Sequence, residues 1–306
     1  MRVVFFGLGS IGLRHLRNLR EYVDEHGIDL SVTAVRTGAS FLPDLADVQQ
    51  VRNLSDARGQ YDVAFITNPT GLHEQTLRLL DGRADVIFLE KPAFTHVVDP
   101  ASFAIAPERV YVAAPLRYKL VMNRVRELVA KERVLNARVV CSSFLPDWRP
   151  GDYRHTYSAS KTMGGGVELD CIHEVDYVIS LFGSPNRTTA IAARHSDLEI
   201  TSNDVAAFIL DYDSLFVEIH LDYFGRVPQR TMSLTTAQDR IEVDLLANCV
   251  TRMPTGDRDL YDDPPGEMYR REMAYFMESV VPGHANWNDL NRANEALRVV
   301  QAVQCP

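Results

Sequence analysis

The apolar positions in the first third of the chain come in short unbroken runs, and the stretches between them carry apolar residues at helical spacing. The runs at residues 2–6, 31–36, 62–67, 85–89 and 109–114 predict five strands. Ile11, Leu16, Leu19 and Val23 predict a helix over residues 10–25, and residues 73–80 read as another. Strand and helix in strict alternation imply right-handed βαβ units, hence a parallel sheet covered on both faces. The wholly apolar Val63-Ala64-Phe65-Ile66 suits a strand buried on both sides.

Beyond Tyr118 the pattern changes. A helix over residues 121–131 leads to a strand at 137–144, then to a glycine run and one helix over 166–181. Alternating segments follow at 188–193, 205–212, 215–223, 230–236 and 240–245, and amphipathic helices at 267–280 and 288–303 end the chain. Successive strands with short turns predict an open, mostly antiparallel sheet. The fold class is therefore α/β: a doubly wound parallel sheet over residues 1–116, then an α+β domain with the open sheet over 117–306.

The 306 residues fit two domains of roughly 150 each, and 46% hydrophobic with 24% charged residues is enough apolar matter for two cores. A net charge of −9 argues against nucleic acid or an anionic membrane as a partner, but leaves room for one local basic pocket. Cys141, Cys171, Cys249 and Cys305 form no closely spaced pair, which points away from a metal site or a disulfide framework and towards a reducing cytoplasm. Apolar runs such as Val86-Ile87-Phe88-Leu89 are too short to cross a bilayer. Glycines 7 to 12 interrupt the N-terminal apolar run, so it reads as mature structure and not as a signal peptide.

Gly7-Leu8-Gly9-Ser10-Ile11-Gly12 directly follows the first predicted strand and opens the first helix. In that context each glycine has a mechanical role. Gly7 turns the chain, Gly9 admits a pyrophosphate to the backbone, and Gly12 lets helix and strand pack closely. The first domain thus reads as a Rossmann dinucleotide-binding domain. The second strand ends Ala34-Val35-Arg36-Thr37 without the acid that usually binds a ribose 2′-hydroxyl; Arg36 with Thr37 suits a 2′-phosphate, favouring NADP with NAD as the alternative.

Two further clusters fall at predicted strand ends, where ligands of such sheets gather. One is Asn68-Pro69-Thr70 with His73; the other is Glu90-Lys91-Pro92, whose lysine is expected where nicotinamide and substrate meet. In the second domain, Gly164-Gly165-Gly166 precede Asp170 and His173, three apart and so on one helix face, where the acid can orient the imidazole. Tyr153, Arg154 and Tyr157, just before the glycines, could line the sugar or phosphate end of a pocket or a solvated loop.

Together and in this order, residues 7–12, Asn68-Pro69-Thr70 with His73, Glu90-Lys91-Pro92, Arg117-Tyr118 and residues 164–173 resemble the Gfo/Idh/MocA oxidoreductases, across essentially the whole chain. The resemblance implies an NAD(P)-dependent enzyme acting on CH–OH groups of sugars, polyols or nucleotide sugars, assembled as a homodimer or homotetramer through the second domain's sheet. It implies that Lys91 touches the reacting oxygen and His173 is the acid/base, with Asp170 sharing the proton or only orienting the site. Coenzyme contacts fall to Gly7, Gly9, Ser10, Ile11, Gly12, Arg36, Thr37, Asn68, Pro69, Thr70, His73, Glu90 and Lys91. Substrate contacts fall to Lys91, Arg117, Tyr153, Arg154, Tyr157, Asp170 and His173. The rival readings are a reductase of a non-sugar carbonyl or dihydrodiol, and an NADP-binding sensor without turnover; a sensor has no need of both Lys91 and His173.

Overall fold

Val3, Val4, Phe5 and Phe6 are buried without alternation, so β1 (Arg2–Phe6) lies in the interior of its sheet. The computed structural model describes residues 1–36, 45–56 and 59–304. Around β1 run α1 (Ser10–Glu25), β2 (Ser31–Val35), β3 (Gln49–Val51), β4 (Tyr61–Ile66), α2 (His73–Leu79), β5 (Ala84–Leu89) and β6 (Val110–Val112). Among the described residues the six strands pair in the order β3-β2-β1-β4-β5-β6, every pair parallel. This is the dinucleotide-fold order, and its direction of winding reverses between β1 and β4, where ligands collect beyond the strand ends. The polar Gln49-Gln50 hides β3 from a hydrophobicity pattern. β6 is shorter than its apolar run because 3₁₀ turns at Pro107–Arg109 and Pro115–Tyr118 flank it.

The second half contains α3 (Leu120–Lys131), β7 (Val134–Phe144), α4 (Val167–Asp170), α5 (Ile172–Phe182), β8 (Arg187–Ala193), β9 (Val205–Asp211), β10 (Phe216–Asp222), β11 (Phe224–Thr236), β12 (Arg240–Asp244), β13 (Cys249–Met253), β14 (Asp257–Leu260), α6 (Glu267–Tyr275), α7 (Leu290–Gln301) and β15 (Val303–Gln304). Its nine described strands pair in the order β14-β13-β12-β11-β7-β10-β9-β8-β15, antiparallel except at β7/β10 and β8/β15. Val139, Cys141, Phe208, Leu210, Val217, Ile219, Leu221, Met232 and Leu234 fill one face. Arg138 and Glu218 pair at 2.9 Å on the other. The exposed Asp257–Leu260 edge strand has no apolar alternation to announce it.

The structure corrects two expectations. The helix expected over 166–181 is broken at Cys171 (φ −96°, ψ 28°), leaving Asp170 at the end of α4 and His173 in the first turn of α5. The chain also divides differently from a single cut at 116: one compact unit is Met1–Ala113 with Tyr269–Asn294, the other Ala114–Met268 with Glu295–Pro306. The physical reason is aromatic burial. Phe276 stands edge-on to Phe65 and Phe88, with ring centroids 5.7 and 5.1 Å away, so this late segment completes the core of the first unit. Among the described residues no helix is long and apolar enough to cross a membrane.

Candidate active site

In the first unit, the chain turns from β1 into α1 through Gly7 at φ +90°. A Cβ on Gly12 would stand 2.5 Å from the Gly7 carbonyl oxygen and 2.7 Å from Thr67 Oγ1, so only glycine lets α1 pack this closely. Thr67 Oγ1 donates to that same carbonyl at 2.6 Å, tying the turn to the end of β4. Gly9, by contrast, has open space where a Cβ would be. α1 starts there with Ser10 exposed, no side chain capping its first N–H groups and no acid in its first turn. A helix start left bare, glycine-lined and free of negative charge fits a pyrophosphate. Arg36, directly after β2, is half-buried and donates to Gln50 Oε1 at 2.7 Å; Thr37 lies outside the described residues.

At the end of β4, Asn68 donates to Thr76 Oγ1 at 2.8 Å. Pro69 is exposed and Thr70 opens a single 3₁₀ turn. His73 is buried, with Nε2 2.9 Å from Asn68 O and Nδ1 3.0 Å from Ala93 O. Burial pushes its pKa below the usual imidazole value despite the carbonyls and Glu90 that oppose it. His73 therefore braces α2 against the segment after Lys91. Glu90 also turns inward: its Oε1 lies 2.5 Å from His15 Nε2, and its Oε2 accepts the Lys91 N–H at 3.1 Å. Burial raises its pKa, but His15, Lys91 and that amide outweigh burial and hold the carboxyl below its ordinary value. Lys91 itself is half-buried.

In the second unit, Asp170 is buried between two phenols. Tyr223 donates its hydroxyl to Asp170 Oδ2, and the Tyr157 hydroxyl bonds to the same carboxyl. Burial first, then the Asp170 charge, push both tyrosine pKa values up, so both stay protonated donors. Tyr157 is held in place from behind: a Cβ on Gly165 would meet the Tyr157 carbonyl oxygen at 2.1 Å, so this glycine serves close packing of the loop. His173 is half-buried.

The basic residues of the second unit differ from expectation. The Arg117 guanidinium is buried and bidentate on Asp176, at 2.5 and 2.7 Å. Arg154 is exposed and bound to Asp152 and Glu199, each at 2.7 Å, and holds Asp152 down to about 2. Arg149 instead lies over the Tyr157 ring, 5.6 Å from its centroid, without a carboxylate partner among the described residues. Tyr153 accepts the Glu199 N–H at 3.2 Å and helps line a cavity of about 510 Å³ with Phe144, His195, Phe224 and Arg226. The fold also gathers Cys141, Cys171 and Glu174, whose ligand atoms lie within 4.8 Å of one another, a set that sequence spacing does not reveal. Arg230 reaches Glu174 at 2.8 Å and Cys141 Sγ at 3.3 Å, so a guanidinium already supplies the positive charge there.

Sequence reasoning missed His15, Tyr223, Arg149 and Asp176. His15 alone left a trace, as a polar residue between the apolar positions of an amphipathic helix.

Residues 122–245 match the family model of the GFO/IDH/MocA C-terminal domain. The second unit carries a Gfo/Idh/MocA C-terminal domain. Solved structures similar to the whole chain include the UDP-N-acetylglucosamine 3-dehydrogenase GnnA from Acidithiobacillus ferrooxidans, at 16% identity and TM-score 0.79, covering 99% of this chain and 96% of that one. The WlbA dehydrogenase from Bordetella pertussis, in complex with NADH and UDP-GlcNAcA, is similar at 17% identity and TM-score 0.78, covering 99% and 95%. A myo-inositol dehydrogenase from Corynebacterium glutamicum is similar at 18% identity and TM-score 0.75, covering 98% and 94%. At such identities the likeness is one of fold. No curated protein matches the sequence. Tyr157, Asp170, His173 and Tyr223 fall within the matched residues 122–245, and the glycine turn and Lys91 precede them.

Proposed function

We propose that the protein is an NAD(P)-dependent oxidoreductase that interconverts a hydroxyl and a keto group on a sugar, nucleotide sugar or polyol. The observation that carries this reading is the bare glycine-lined start of α1 at the switch point of the sheet, with Lys91 two strands away at the same sheet edge. The bound coenzyme supplies the hydride chemistry. Gly7, Gly9, Ser10, Ile11 and Gly12 would hold its pyrophosphate, with Asn68, Pro69 and Thr70 bordering it. Lys91 Nζ stabilises the negative charge that develops on the reacting oxygen, and the His173 imidazole takes or returns the hydroxyl proton. Asp170, fixed by Tyr157 and Tyr223, orients a substrate hydroxyl.

The nucleotide of a nucleotide sugar suits the cavity beside Tyr153: Phe224 offers a ring for a base, and Arg226, which lies over the Phe144 ring 3.7 Å from its centroid, offers positive charge for phosphate. The solved structures of GnnA and WlbA name UDP-sugar ligands or substrates and support this choice over a free sugar. For the coenzyme, the strand-end sequence Ala34-Val35-Arg36-Thr37, with an arginine where an acid usually binds the ribose, supports NADP(H), while the NADH in the WlbA structure keeps NAD(H) as the alternative. Assembly through the polar open face of the nine-stranded sheet, and a reducing cytoplasm for the free thiols of Cys141, Cys171 and Cys249, complete the proposal.

The test is a screen of UDP-sugars, free sugars and inositols for absorbance change at the nicotinamide band, with NADP⁺ and NAD⁺ in parallel. Turnover that disappears in Lys91→Ala, with coenzyme binding retained, is the expected result. A Lys91→Ala protein as active as the parent refutes the assignment.

A further inference from the structure

His15 stands three residues beyond Gly12 on the inner face of α1, fully buried beside Leu16 and Leu19. Its ring packs on Phe88 at 4.6 Å between centroids, with Phe65 and Tyr269 each 6.2 Å away. Nothing about this apolar surround calls for a polar side chain. Leucine there would pack without losing hydration, and a buried carboxylate such as Glu90 is costlier still. The two polar groups are nevertheless matched to each other: His15 Nε2 faces Glu90 Oε1 at 2.5 Å, and Glu90 Oε2 takes the Lys91 N–H. His15 Nδ1 has no hydrogen-bond partner among the described residues. A bare lone pair there costs less than an orphaned N–H, so the proton sits on Nε2, directed at the carboxylate.

We infer that His15 is a positioning residue for Lys91, acting through the Glu90 carboxylate that bridges the His15 ring to the Lys91 backbone. The inference rests on the role given above to Lys91, but its geometry lies wholly within the first unit. The bridge anchors the strand end at the peptide from which the Lys91 side chain departs, because Glu90 accepts from that N–H and is itself pinned by α1. His73 of α2 and Tyr269 of α6 are the other titratable groups coupled to Glu90 from elements packed around it. Neither donates to its oxygens. Without His15, the Glu90 carboxyl loses its tie to α1 and takes up a proton more readily, and the anchor at the Lys91 peptide weakens.

The test needs no substrate. The chain has four lysines, Lys91, Lys119, Lys131 and Lys161, so acetic anhydride labelling at a single pH, followed by mass spectrometry, reads the reactivity of Lys91 individually. In His15→Ala the Lys91 labelling rate should rise at least about threefold, while the other three lysines stay unchanged and NADPH binds within about twofold of the parent. His15→Gln, which retains an N–H donor, should restore most of the parental rate. Should His15→Ala fail to fold, Glu90→Ala removes the other half of the bridge and must raise the Lys91 rate likewise. A folded His15→Ala or Glu90→Ala protein with the parental Lys91 rate overturns the inference, even if its melting temperature drops. An active Lys91→Ala enzyme would instead defeat the proposed function and leave the labelling result standing.

Discussion

Tyr223, in the tight link between β10 and β11, donates its hydroxyl to Asp170, inside the sequence motif that starts with Gly164. Tyr157 binds the same carboxyl, and Trp148 stands edge-on to Tyr223 at 5.2 Å between centroids. Asp170 is thus a fixed carboxylate with a prescribed direction.

Tyr223→Phe removes one of its two phenolic donors while keeping the ring. A hydrogen bond to a charged group is worth about 1.5–3 kcal/mol, so kcat on the substrate found by screening should fall roughly tenfold or more. Affinity for the nicotinamide coenzyme should stay unchanged, because Tyr223 belongs to the second unit. Steady-state kinetics with a coenzyme titration measure both. Parental kcat would show that Asp170 needs no such anchor.

Arg117 is spent on Asp176, which predicts a stability phenotype where a substrate-binding arginine would give a KM phenotype. Arg117→Ala leaves a largely buried carboxylate unpaired and should destabilise the fold by about 3–5 kcal/mol. Arg117→Ala with Asp176→Ala should recover part of that loss. Denaturant unfolding of both variants checks this, and an unchanged midpoint in the single variant would contradict the pairing.

How much of this was legible beforehand divides along physical lines. Most strands of both sheets were legible because unbroken apolar runs and strict alternation have few other uses, and the glycine turn because its steric demand is local. The break at Cys171 was not, since nothing in Asp170-Cys171-Ile172 lowers helix propensity sharply, and the i, i+3 argument for Asp170 and His173 assumed an unbroken helix. Arg117 and Arg154 looked available because a sequence lists charges without their partners; Asp176 is 59 residues from Arg117 and Glu199 is 45 from Arg154. The return of Phe276 to the first core depends on a contact nearly 200 residues away, beyond the reach of any periodicity.

Gly12→Ala tests the coenzyme site sterically. Its Cβ would sit 2.5 Å from the Gly7 carbonyl oxygen, which is backbone and can yield only by moving the turn. Affinity for the nicotinamide coenzyme should drop at least about tenfold, a cost of about 1.4 kcal/mol or more, whereas Gly9→Ala meets no protein atom within 4 Å and should fold as the parent does. Fluorescence titration beside thermal melting separates the two. Equal binding by Gly12→Ala would mean that the pyrophosphate lies elsewhere.

Phe276 gives a prediction about the division of the chain. Truncating a fully buried phenylalanine costs about 3–5 kcal/mol, and this one touches the rings of Phe65 and Phe88 on β4 and β5. Phe276→Ala should therefore raise hydrogen exchange in β4 and β5, with β9 and β10 left near the parental rates. Faster exchange confined to β9 and β10 would return residues 269–294 to the second unit.

Asp222, at the end of β10, sets a pH dependence whose sign is fixed. Burial raises its pKa, but His220 Nε2 at 3.0 Å, the Ser142 hydroxyl at 2.9 Å and the N–H groups of Phe224 and Gly225 outweigh burial and hold it below the ordinary carboxylate value. A carboxyl depressed in the folded state adds stability above its unfolded pKa and loses it as pH falls through its folded one. Asp222→Asn keeps the shape without the charge, so it should be less stable than the parent at neutral pH, by about 1–2 kcal/mol. The gap should close on acidification through the range below the ordinary Asp value, because the parent then carries a neutral carboxyl too. Urea unfolding of both proteins from neutral to acid pH measures the gap directly, and a gap that widens as pH falls would reverse the assignment of Asp222 as a stabilising anion.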